Sequence, residues 1–126
     1  MEIPEEIKLF LLESYENLDK VEQDLLALEK DPSNAGLLNS VFRCIHTIKG
    51  NSGFLGLSTL EVVCHKGEAV LDRLRSGALQ FSEGLNSDLL GFIDFVRLEL
   101  QGVESSGEDP NLASEPTLHR LSKYLN

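Results

Sequence analysis

The sequence predicts an all-α fold: an antiparallel up-down four-helix bundle with a short fifth helix at its C-terminal end. Three observations carry this expectation. Apolar residues recur at steps of three and four along nearly the whole chain. No segment alternates convincingly at period two, the mark of a half-buried strand. The breaks between periodic segments are short, which favours antiparallel neighbours. A length of 126 residues suits one domain around one core, with the bundle expected over 1–103, a linker over 104–114 and an accessory helix over 115–126.

The first helix is expected to start after Pro4, because proline fits a first turn. Ile7, Leu11, Ser14, Leu18, Val21, Leu25 and Leu28 form one stripe, apolar except at Ser14, that stops at Asp31-Pro32. Ser33 or Asn34 caps a second helix, whose stripe of Leu38, Val41, Ile45 and Ile48 is widened by Leu37 and Cys44. Gly50, Gly53 and Gly56 leave its end open. Ser58 is the expected cap of a third helix, with Glu61 completing a capping box. Its stripe is Leu60, Cys64, Gly67, Leu71 and Leu74; Arg73 and Arg75 suit the helix dipole and Gly77 suits the stop. Ser82 or Ser87 opens a fourth helix with Leu85, Leu89, Phe92, Ile93, Val96 and Leu100 on one side. Gly102 to Pro110 reads as a polar break. Leu118, Leu121 and Leu125 mark the short fifth helix, expected on the outside of the bundle.

The formal charge is -10, from 21 acidic and 11 basic side chains. That argues against nucleic acid, which is bound through clustered Lys and Arg, and against an anionic membrane surface. The segment Met1-Glu2-Ile3-Pro4-Glu5-Glu6 is acidic with no apolar core, so no signal peptide is expected. No apolar run approaches the roughly 20 residues of a membrane span. A cytoplasmic location is the expectation. Cys44 and Cys64 sit inside apolar helical patterns and read as small buried hydrophobes of a reducing compartment.

The stretch with most chemical content is His46-Thr47-Ile48-Lys49-Gly50-Asn51-Ser52-Gly53-Phe54-Leu55-Gly56. On a helix, His46 lies about 100° around from the core-facing Ile45. Asn39, Phe42, His46, Lys49, Gly50 and Gly53 then share a separate face, with Lys49 one turn from His46. A phosphoryl group carries spread negative charge, and its transfer depends on positioning and electrostatic stabilisation, part of which Lys49 can supply. Glycines cost roughly 1 kcal/mol each in a helix interior, so Gly50 and Gly53 point to access for a docking partner or to close packing. The third helix carries a polar stripe, Glu61, His65, Glu68 and Asp72, that in a helical hairpin brings His65 and Glu68 toward His46. A carboxylate accepting the Nδ1 proton of His46 leaves Nε2 as the nucleophile. The plainer alternative is a solvated face and a surface histidine. His46, His65 and Glu68 match no metal-ligand spacing such as His-Glu-x-x-His, and no metal site is expected. His119 reads as a surface residue.

The run from His46 to Gly56 resembles the signature of histidine-containing phosphotransfer (HPt) domains, and more narrowly the N-terminal phosphotransfer domain of chemotaxis-type, CheA-like histidine kinases. That group carries His-[Ser/Thr]-[Ile/Leu]-Lys-Gly, then small residues and a hydrophobic-Gly pair, followed by a Leu, a His and a Glu three residues on. Here the second set is Leu60, His65 and Glu68. The resemblance implies that His46 is the phosphoacceptor, that Lys49, His65 and Glu68 form its polar shell, and that Glu68 is the partner of Nδ1. One departure is Gly67, where the family usually has a bulkier residue; it either lets helices approach closely or loosens the middle of the third helix.

The function expected from this resemblance is phosphorelay signalling. A histidine kinase's ATP-binding domain phosphorylates His46, and the group passes to an aspartate of a response-regulator receiver domain. Phe42, Gly50 and Gly53 are the expected docking residues. No cofactor is expected in this chain, since ATP and magnesium belong to the partner domains, and the isolated domain is expected to be monomeric. The chain has no Walker-type glycine loop and is no autonomous kinase, so a free-standing protein and a module of a larger histidine kinase both remain open, the long first helix and the fifth helix favouring the module. The alternative is a non-catalytic helical adaptor. An exposed His46 between buried Ile45 and Ile48 favours the relay; a buried His46 favours a structural role.

Overall fold

A computed structural model describes residues 2–126; Met1, the first residue of the expected domain and of its acidic N-terminal segment, lies outside them. Five helices follow in order, α1 Glu5–Leu28, α2 Ala35–Phe54, α3 Ser58–Ser76, α4 Glu83–Ser106 and α5 Glu115–Ser122, and the described residues contain no strand. Helix α1 packs on α2 and α4, and α3 packs on the same two, which closes a four-helix bundle; α5 lies across α3 and α4. No helix of the described residues is long and apolar enough to cross a membrane.

The stripes of the four long helices converge on one core. Leu18, Val21, Ile45, Leu60, Cys64, Val96 and Leu100 are fully buried within it. Ser14, the polar break in the first stripe, is buried too. Gly67 faces Phe92 of α4: a Cβ there would stand 2.4 Å from Phe92 Cζ, so the glycine serves close helix approach.

The helix starts divide into local and tertiary cases. Asn34 caps α2 by accepting the Leu37 N–H at 3.0 Å, and Ser82 caps α4 by accepting the Leu85 N–H at 3.2 Å. The expected cap at Ser58 is not what α3 uses. Ser58 is already helical, Leu57 holds the cap position, and no local side chain caps the helix. Asp109 reaches over from the segment after α4 and accepts the Thr59 N–H at 2.8 Å. A carboxylate suits the positive end of a helix dipole, and this one comes from 50 residues downstream. The segment expected as a linker over 104–114 is therefore in part helix, since α4 runs on to Ser106 before Gly107 turns the chain at φ +77°. The remainder is a strap, held by Asp109 on α3 and by the Leu112 N–H bonding Glu99 of α4 at 2.8 Å. Beyond α5, the Tyr124 hydroxyl donates to Asp88, and Lys123 pairs with the same carboxylate at 3.0 Å, which fixes the C-terminal residues to α4.

Glu99 is fully buried and its Oε2 has no partner among the described residues. Burial pushes its pKa from 4.5 up to about 7; the Leu112 N–H works against the rise and the Asp109 carboxylate adds to it. Below about pH 4.5 the group is protonated whether folded or unfolded, and its burial carries no charge penalty. As pH rises to about 7 the unfolded chain gains by ionising first, and stability falls. Glu99→Gln is accordingly expected to be more stable than wild type by about 1–3 kcal/mol at pH 8, the difference fading toward pH 4.5. Urea unfolding at both pH values checks this; a gain independent of pH would contradict it.

Candidate functional site

Helix α2 presents two faces one residue apart. Ile45 and Ile48 are 0% and 1% exposed, while the His46 side chain between them is 60% exposed. The separation follows from the 3.6-residue period. Helices α2 and α3 form a hairpin, and Glu68 of α3 meets His46 across it. Glu68 Oε2 lies 2.5 Å from His46 Nδ1, and Glu68 Oε1 accepts from Lys49 Nζ at 2.8 Å. One carboxylate thus holds the histidine with one oxygen and the lysine with the other.

The electrostatics fix the proton on the ring. Partial burial works to raise the Glu68 pKa, but the hydrogen bonds from Lys49 and His46, and then their charges, hold it below the usual carboxylate range. An ionised carboxylate only accepts, so Nδ1 of His46 is the donor. In the neutral ring Nε2 then carries the lone pair, on a side chain that is 60% exposed. Cys64 lies fully buried beneath; burial pushes its thiol up to about 12, Glu68 adding to the rise and Lys49 opposing it, so it is no competing nucleophile.

The remaining candidates fall in different places. His65 is exposed and makes no hydrogen bond to His46, Lys49 or Glu68; it lines a groove of about 520 Å³ with Lys49, Glu61, Lys66 and Leu125 of the C-terminal end. Gly50 leaves open space, since a Cβ there would meet nothing within 4 Å. Gly53 does not: a Cβ there would stand 2.4 Å from Glu61 Oε2, so the room it makes is filled by Glu61 of the same chain rather than kept for a partner. Phe42 is half-buried and stacks on His46, with ring centroids 5.9 Å apart and planes 10° from parallel. The guanidinium carbon of Arg75 stands 3.7 Å from the Phe42 centroid, and Arg75 Nη2 bonds Asp72 Oδ1 at 2.8 Å. His119 is exposed.

Arg75 and Asp72 escaped the sequence reading as members of this cluster. Spacing alone assigns Arg75 to the helix dipole and Asp72 to the polar stripe of α3. The available signal was spacing: Asp72 and Arg75 are three apart, Phe42 and His46 four apart, and an antiparallel hairpin that sets Glu68 against His46 brings the Arg75 turn level with Phe42.

Known proteins share this fold and sequence pattern. The family model described as Hpt domain matches residues 5–106. The sensor histidine kinase CheAY of Helicobacter pylori is 36% identical over 116 residues, covering 92% of this chain and 14% of that protein. The chemotaxis protein CheA of Bacillus subtilis is 31% identical over 115 residues, covering 91% of this chain and 17% of that protein. The chain therefore spans about a seventh to a sixth of the length of these relatives. Among solved structures, the phosphorylated P1 domain of CheA3 from R. sphaeroides, solved in complex with CheY6, superposes with a TM-score of 0.88 at 31% identity over 96% of both chains. A solution structure of the histidine phosphotransfer domain of CheA superposes with a TM-score of 0.83 at 27% identity, covering 93% of this chain and 89% of that one. With its helices, its exposed histidine and its sequence in agreement, this chain belongs to the Hpt domain family.

Proposed function

We propose that His46 is a phosphoacceptor in a phosphorelay, taking a phosphoryl group from the ATP-binding domain of a histidine kinase and passing it to a receiver-domain aspartate. The observation that carries this reading is an exposed imidazole whose Nδ1 is held by a buried-side carboxylate, itself held by Lys49. In the first transfer the Nε2 lone pair attacks phosphorus, the Nε2–P bond forms, and the bond from phosphorus to the donor's leaving oxygen breaks. Glu68 accepts the hydrogen bond from Nδ1–H throughout and stabilises the positive charge that develops on the ring. Lys49 lies one helical turn from His46 on α2 and offers an ammonium to the incoming phosphoryl oxygens. ATP and magnesium belong to the partner domains in this scheme, and the open space at Gly50 and the exposed His65 support docking of a partner on this side of α2 and α3. A non-catalytic adaptor would leave the Glu68–His46–Lys49 arrangement without a use.

Incubation with a histidine kinase and ATP, followed by mass-spectrometric mapping of the acid-labile phosphoryl group, tests the assignment. The group is expected on His46; its appearance on His65 or His119 instead would overturn the reading. Glu68→Ala and Lys49→Ala are expected to slow phosphorylation by about 10- to 100-fold while leaving the helical circular dichroism intact. If both variants react like wild type, the carboxylate and the ammonium have no part in the transfer.

A further inference from the structure

The hydrogen bond from His46 Nδ1 to Glu68, together with the covalent anchor at Cγ, restrains rotation about Cβ–Cγ and sets the coarse orientation of the ring. The side chain is 60% exposed, so small coupled changes of its two torsions still tilt the ring about that contact, and the Nε2 lone pair swings with it. In-line attack on phosphorus needs that lone pair aimed, because transfer of this kind rests on positioning. A second contact narrows this residual tilt, and for an exposed side chain it comes from a neighbour on the surface.

That contact is Phe42. Its ring lies nearly parallel to the imidazole, within the distance range of offset aromatic stacking. Phe42 is one turn before His46 on the same helix, so its position relative to the histidine is set by α2 itself. Its own ring is held from α3, where the guanidinium of Arg75 lies against it in cation–π contact. Asp72, one turn back on α3, ties Arg75 down with a charge-assisted hydrogen bond. The two acidic residues Glu68 and Asp72 of one α3 stripe thus converge on a single imidazole. Glu68 holds its edge directly, and Asp72 acts on its plane through Arg75 and Phe42.

We propose that Phe42 and Arg75, tethered by Asp72, are positioning residues that narrow the tilt of the His46 ring for phosphoryl transfer, an inference that rests on His46 being the phosphoacceptor. It gives Phe42 a role inside the molecule in place of the docking role its sequence position suggests. None of the three residues touches the phosphoryl group, so their effect is on the rate at bound donor and not on donor binding. Loss of the stack should reduce that rate by roughly two- to ten-fold, the factor matching what an aromatic pair contributes beyond simple burial.

Phosphoramidate separates this role from docking, because it is too small to need a protein-docking surface. In that reaction the Nε2–P bond forms, the P–N bond of phosphoramidate breaks, and ammonia leaves. The full chain is compared with Phe42→Leu, Phe42→Tyr and Arg75→Ala, with circular dichroism as the folding check; Arg75 is exposed, which protects its variant from misfolding. The maximal rate should fall in Phe42→Leu and Arg75→Ala with the half-saturating phosphoramidate concentration unchanged, and Phe42→Tyr should restore it. In the NMR spectrum the ring-current shift on the His46 ring protons should vanish in Phe42→Leu and return in Phe42→Tyr. Wild-type rates in Phe42→Leu and Arg75→Ala, a change confined to half-saturation, or a tyrosine that fails to rescue would overturn the positioning role while leaving His46 as phosphoacceptor. A wild-type chain that phosphoramidate does not modify at His46 would defeat the phosphoacceptor reading, and this inference with it.

Discussion

His46→Gln is expected to take up no phosphoryl group from any donor while remaining as stable as the wild type. Glutamine is close in size and its amide N–H can still donate to Glu68, so the Glu68–Lys49 contact need not be disturbed. What it lacks is a ring nitrogen with a free lone pair. An amide nitrogen shares its pair with the carbonyl and does not attack phosphorus. Stability should change by less than about 0.5 kcal/mol, because the side chain is 60% exposed and contributes nothing to the core. Labelling and thermal unfolding are measured on the same preparation. Residual labelling at the wild-type level would move the acceptor elsewhere, and a large fall in melting temperature would show that His46 is structural.

The second large effect is expected at Gly67. In an ordinary helix interior Gly→Ala gains roughly 1 kcal/mol. Here the added methyl would stand 2.4, 2.6 and 2.9 Å from three carbons of the Phe92 ring, and Phe92 is itself 1% exposed. A buried aromatic ring has no solvent to swing into, so α3 and α4 must separate or the ring must leave its rotamer. Overpacking of this kind costs typically 1–3 kcal/mol, so Gly67→Ala is expected to lose about 1 kcal/mol net once the better helix propensity is subtracted. The loss should reach the site, because Glu68 is the next residue and moves with α3; phosphorylation should slow alongside. Phe92→Leu in the Gly67→Ala background should recover part of both. Urea unfolding of the single and double variants checks this, and a Gly67→Ala protein more stable than wild type would show that close approach is not what the glycine provides.

Gly67 also marks the boundary of what a single sequence discloses. Its place in the stripe of α3 was plain, but spacing left two readings, close packing and a loosened helix, and only the position of Phe92 on another helix separates them. The α3 cap shows the same boundary. Ser58 and Glu61 have the spacing of a capping box, yet the Thr59 N–H is taken by Asp109. The helix starts one residue earlier than that pattern implies, so the Glu61 N–H that Ser58 would have capped bonds Leu57 O, and a carboxylate from a distant segment takes the Thr59 N–H. For Gly53 the spacing leaves access or close packing open, and the neighbour that occupies its space is Glu61, whose reach across the hairpin has no signature in one dimension.

The helices themselves, their order, the core stripes and, to within two candidates each, the caps at Asn34 and Ser82 were legible because each depends on residues within about one or two turns of one another. So was the chemistry at its simplest: a histidine off the core face, a lysine one turn on, and a carboxylate on the next helix at the matching level. The sequence by itself determined that α2 would carry His46 outward and that α3 would carry a stripe containing Glu68. Only the tertiary structure decided that Glu68 bridges His46 and Lys49, that His65 makes no hydrogen bond to them, that Arg75 lies on Phe42, and that the segment after α4 caps α3. The physical reason is the range of the interactions. Helical periodicity and local capping act between near neighbours in the chain, whereas a shared carboxylate, a cation on a ring and a borrowed cap depend on how two helices are rotated and offset, and that offset is set by the whole core.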